Sequence, residues 1–100
     1  MATLRITVLK RMTNQDLAER YCVSGVRLPC RNFAEGQEFV VRGSERPNDF
    51  CAWAWNDIHK VSLCMAQGGC FTGYKDHNTA IACCTDGIQP VVFKVEKVGD

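Results

Sequence analysis

The sequence predicts a single α+β domain over residues 1–100, with two helices on a small, mostly antiparallel four-stranded sheet in the order β-α-β-α-β-β. Three observations predict it. Leu4, Ile6 and Val8 alternate with Arg5 and Thr7, and Val91, Phe93 and Val95 alternate with Val92, Lys94 and Glu96; a period of two marks a half-buried strand. Between these stretches Phe50, Ala54, Ile58, Val61 and Met65 recur at the spacing of one helical face. The 100 residues, 46% hydrophobic and 23% charged, can bury one core and are too few for two.

Taken in order, the first strand runs through Leu4–Val8. Thr13 then reads as an N-cap with Asp16 three residues on, opening a helix from Asn14 to about Cys22 whose apolar stripe is Leu17, Ala18 and Tyr21. Val23 to Glu35 has no period and is punctuated by Ser24-Gly25, Pro29 and Gly36, so it reads as an irregular connection. Gln37 to Arg42 is the second strand, with Phe39 and Val41 inward. Gly43 to Pro47 turns the chain into a second helix, from Phe50 to about Gln67, capped by Asp49 or Asn48 and stopped by Gly68-Gly69. Cys70 to Thr79 is a second irregular segment. Ala80–Cys84 and Val91–Val98 are strands three and four, expected to form an antiparallel hairpin around the turn signal Asp86-Gly87.

Twelve basic and eleven acidic residues are interspersed and leave a net charge of +1, which provides no electrostatic footprint for nucleic acid or an anionic membrane. No apolar run approaches the roughly 18 residues of a membrane span. The first ten residues alternate like a strand and show no signal-peptide pattern, so a cytoplasmic location is expected. Seven cysteines form an odd set that cannot pair completely. Reduced thiols are then the default, and the ordinary role of a free cysteine is that of a small buried hydrophobe.

Two stretches carry more than fold information: Phe50-Cys51-Ala52-Trp53-Ala54-Trp55-Asn56-Asp57-Ile58 and Cys84-Thr85-Asp86-Gly87-Ile88-Gln89-Pro90-Val91-Val92-Phe93. With Pro29-Cys30, Phe33 and Gly36-Gln37-Glu38-Phe39, they resemble a family of small, uncharacterised bacterial and fungal proteins over nearly the whole chain. The resemblance implies no particular activity. It does sort the cysteines: Cys30, Cys51 and Cys84 fall in the matching motifs, whereas Cys22, Cys64, Cys70 and Cys83 do not. Ala52 stands where the motif often has proline.

With Asp49 as the cap, Cys51 would occupy the second helical position, where free backbone N–H groups and the helix dipole favour a thiolate. Neighbouring strand residues point to opposite faces, so only one of Cys83 and Cys84 can share the core face with Ile81: Ile81 and Cys83 make one face, and Ala82, Cys84 and Asp86 make the other, where Cys84 and Asp86 could line a site near the turn. Cys30, Cys51 and Cys84, joined by Asp86, Asp57 or His59, would suit zinc or another thiophilic metal, although no Cys-x-x-Cys knuckle is present. Trp53 and Trp55 project about 200° apart on a helix, so they cannot share one core face: either one packs inward and the other lines a groove, a ligand pocket or a self-association surface, or both pack internally with one against the Val23–Glu35 connection.

The expectation is a pocket formed by the loop at Cys30, the helix start at Cys51 and the turn after Cys84, flanked by Trp53 and Trp55, and binding a small molecule or metal ion. The alternatives are a small enzyme with Cys51 as nucleophilic or redox thiol assisted by Asp86 or His77, and a homodimeric interaction module.

Overall fold

The computed structural model describes residues 1–25 and 27–100; Val26, inside the irregular connection expected from Val23 to Glu35, lies outside the described residues. The elements follow the expected order: β1 (Thr3–Arg11), α1 (Gln15–Tyr21), β2 (Glu38–Arg42), α2 (Ala52–Ala66), β3 (Thr79–Cys83) and β4 (Val91–Gly99). The strands form one antiparallel sheet in the spatial order β2-β1-β4-β3.

The two strands with the cleanest alternation occupy the centre of the sheet. Ile6 faces Phe39 on one side and Val95 on the other, Val8 faces Phe93, and Ala80 faces Val95. These side chains are all buried and share the inner face. The outer face is polar: Arg5 Nε lies 2.9 Å from Glu96 Oε1, and Lys94 Nζ 3.4 Å from the same oxygen. An antiparallel sheet with one solvated face needs a cover on the other face alone, and α2 provides it, burying Ala54, Ile58 and Met65.

The end of α2 follows its glycines. Gly68 N–H donates to Met65 O (3.1 Å) and Gly69 N–H to Cys64 O (2.9 Å), the paired bonds of a Schellman cap. Gly68 takes φ +92°, and a Cβ on Gly69 would stand 2.6 Å from Cys64 Sγ, so both positions need glycine.

Three local expectations are corrected. The stripe expected on α1 is not buried as a unit: Ala18 is buried, but Leu17 is 40% and Tyr21 70% exposed. Thr13 is not the N-cap; Asn14 is, and it makes no side-chain cap bond, while its Nδ2 donates to Gly87 O at 2.7 Å. Ile81, 42% exposed, lies on the outer face with Cys83, so the core side of β3 is the one leading to Cys84. Among the described residues, no helix is long and apolar enough to cross a membrane.

Candidate functional site

The site begins with Asp49. Its φ of +66° is a left-handed conformation that aspartate tolerates better than most residues. Together with the Phe50 N–H to Pro47 O bond (3.2 Å), it folds the chain back so that the Phe50 ring enters the core. The backbone becomes helical only after this reversal. Cys51 is therefore the N-cap of α2 (φ −58°, ψ 126°) and not its second helical residue, and Asp49 caps nothing. The Cys51 carbonyl accepts from Trp55 N–H (2.9 Å), and its sulfur accepts from Asn32 Nδ2 (3.7 Å). Among the described residues, no histidine or carboxylate is hydrogen-bonded to Cys51, so no nucleophile–base pair is assembled there.

The irregular connection delivers Cys30. It is anchored by Phe33, whose ring centroid lies 5.1 Å from both Phe50 and Phe93 and 6.0 Å from Phe39. Arg11 Nη1 donates to Cys30 O at 3.0 Å, while Arg11 Nε lies 2.6 Å from Glu35 Oε2. That bond holds the Glu35 carboxyl below the usual carboxylate range and raises the Arg11 guanidinium.

Cys84 follows β3 and is buried. Its N–H donates to Val91 O (3.1 Å), and its sulfur accepts from Val91 N–H (3.3 Å), which ties it to the start of β4. Its neighbour Cys83 points outward; burial pushes that thiol up, and the charges of Cys84 and Asp57 push it the same way. Asp86 Oδ1 accepts from Ile88 N–H and Gln89 N–H, both at 2.9 Å, so the expected Asp-Gly turn is held by the aspartate's own side chain.

A polar link joins the helix to this turn. Asp57 Oδ2 accepts from Thr85 N–H (2.8 Å) and Thr85 Oγ1 (2.9 Å), and Thr85 Oγ1 accepts from Trp53 Nε1 (3.2 Å). Asp57 is thus a bridge between distant segments.

These segments enclose a cleft of about 210 Å³ lined by Cys30, Cys51, Cys84, Trp53 and Asp86, with Asn32, Phe33, Ala54, Gln89 and Val91 completing its wall. Trp55 does not line it. Half-buried, it packs edge-on against Phe50 (6.0 Å, 78°) and beside His59 (5.2 Å). Trp53, 66% exposed, is the groove-lining tryptophan. His59 and His77 are also outside the cleft wall.

The expected metal trio is brought to one cleft but not to one point. Zinc needs donors converging at about 2.3 Å for sulfur, and among the described residues no group of three His, Cys, Asp or Glu side chains is placed to hold an ion. Asp57 and His59, suggested as further ligands, are engaged by Thr85 and packed on Trp55. All seven cysteines carry free thiols.

The sequence did not mark Asn32, Phe33, Ala54, Gln89 or Val91 as site residues; all but Asn32 entered only within motifs or as core positions. Asn32 and Gln89 have no period or chemistry of their own to flag them; the cleft recruits them through the loops that carry them. Comparisons with protein-family models, curated proteins and solved structures find no match.

Proposed function

We propose that the protein binds a small organic ligand in the cleft bounded by Cys30, Cys51, Cys84 and Trp53. One observation carries this reading: three cysteines from separate segments line one mostly apolar space beside an exposed indole. Cysteines serving only as core filler have no reason to gather at an open concavity, whereas concave, largely apolar sites with a few polar groups are where small molecules bind. At about 210 Å³ the space is smaller than the roughly 300–1,000 Å³ of drug-sized sites, which suits a ligand of one ring. The scattered donor geometry favours an organic ligand over a thiophilic metal ion. A cytoplasmic setting fits this reading, because reducing conditions keep free thiols such as these unpaired.

The test is a fragment screen read by alkylation. Fragments that bind should slow iodoacetamide labelling of Cys51 and Cys30 saturably, while Cys64 and Cys70, which lie outside the cleft, label at an unchanged rate. Failure of every fragment to protect either cleft thiol would sink the proposal. The exposure of Trp53 favours one rival, self-association through that indole. It requires light scattering to show a dimer that Trp53→Ala abolishes.

A further inference from the structure

We infer that the ligand is a small organic cation with a flat apolar body; this rests on the ligand-binding reading above and names the chemical class the cleft would select. The first argument is charge. Among the described residues, Asp86 is the only acidic side chain in the wall, and no lysine, arginine or histidine lines it. Arg11, the basic residue bonded to the Cys30 carbonyl, has its charge met by Glu35 at 2.6 Å. Asp86 uses Oδ1 to hold the turn, through two bonds from backbone N–H groups, and its Oδ2 carries no hydrogen bond or ion pair among the described residues. One carboxylate oxygen is structural; the other is available.

The second argument is hydrogen-bond polarity. The two amides in the wall both direct their nitrogens at the protein. Asn32 Nδ2 donates to Cys51 Sγ, and Gln89 Nε2 donates to Leu28 O. Their oxygens are left as acceptors. With Asp86 Oδ2, three side-chain oxygens of the wall residues carry no hydrogen bond among the described residues, one of them a carboxylate oxygen. A ligand that brings N–H donors and positive charge can use these oxygens, whereas a carboxylate or phosphate would face the Asp86 charge with no basic side chain among the described wall residues to offset it.

The third argument is shape. The Trp53 indole is held at its edge by Nε1–H donation to Thr85 Oγ1 (3.2 Å), itself donating to Asp57 (2.9 Å), so the ring is oriented while remaining 66% exposed. An indole face is the best side-chain surface for a cation. Phe33, Ala54 and Val91 supply apolar wall for the flat body of a ligand.

The experiment uses the full chain and three single-ring probes of one shape: benzamidine (cation), benzamide (neutral) and benzoate (anion). Binding is read by protection of Cys51 from iodoacetamide and by the NMR shift of the Trp53 indole N–H. Benzamidine should protect saturably and bind about tenfold more tightly than benzamide, the scale of one desolvated cation–π contact or charge-assisted bond; benzoate should show no saturable effect. Asp86→Asn keeps the Oδ1 acceptor that holds the turn, and should reduce the preference for benzamidine over benzamide to the part that the Trp53 face supplies. The ranking of the three probes on the unaltered protein stands as a test even if that variant does not fold. Equal binding of benzamide or benzoate, or a folded Asp86→Asn with the preference undiminished, overturns the inference while leaving ligand binding intact. Protection by other fragments but by none of these three overturns it as well. If no compound of any charge protects a cleft thiol, both readings fall.

Discussion

Phe33 reaches the core from a connection with no periodicity of its own, and its ring meets Phe39, Phe50 and Phe93. Its burial fastens the segment that carries Cys30 and Asn32, so one aromatic residue serves both the core and the site. Truncation there should combine a large cavity with loss of the loop's anchor. Phe33→Ala is expected to cost about 3–5 kcal/mol, measured by urea unfolding. It should also speed labelling of Cys30 under native conditions. A loss below about 1 kcal/mol, well short of a buried aromatic, would show that the loop is held by other contacts.

At the level of elements, the start of α2 is decided by a turn. Asp49 at φ +66° reverses the chain, Phe50 enters the core, and Cys51 becomes the cap. A left-handed position penalises a residue with an ordinary Cβ by about 1 kcal/mol, so Asp49→Ala should be destabilised by about that amount. Asp49→Gly should stay within about 0.5 kcal/mol of the parent, because relief of the φ preference is offset by the greater freedom of glycine in the unfolded chain. Thermal melts of the pair test this directly; equal losses in both variants would instead assign the role of Asp49 to its carboxylate.

On the scale of the whole molecule, the sheet keeps its faces distinct, with the core and α2 on one side and a charged, solvated surface on the other. That outer surface sets an acid limit on stability. Burial alone would raise the Glu96 carboxyl, but the bond from Arg5 and the charge of Lys94 outweigh it, and the group lies below its ordinary 4.5. Arg5 is raised by the same pairing. Because the folded value is depressed, the contribution is fully present above about pH 4.5, the ordinary value, and is lost as pH falls through the folded value. Circular-dichroism melts across this range should show the midpoint dropping in acid, with a shallower drop in Glu96→Gln. An unchanged profile in that variant would remove Glu96 from the account.

Element types, their order and the inner faces of β1, β2 and β4 were legible in the chain because periods of two and 3.6 are local consequences of burying one side of a strand or helix. The grouping of Cys30, Cys51 and Cys84 was expected from the stretches that carry them, and the structure sets all three in one cleft wall. Tertiary structure decided the rest. The sheet order places β1 beside β4, residues far apart in the chain. Asn14 sends its Nδ2 to Gly87 and makes no local cap bond, Ile81 faces outward although it is apolar, and Trp53 rather than Trp55 lines the cleft. Each of these outcomes depends on which distant segment occupies the facing space, and no local pattern of residues carries that information.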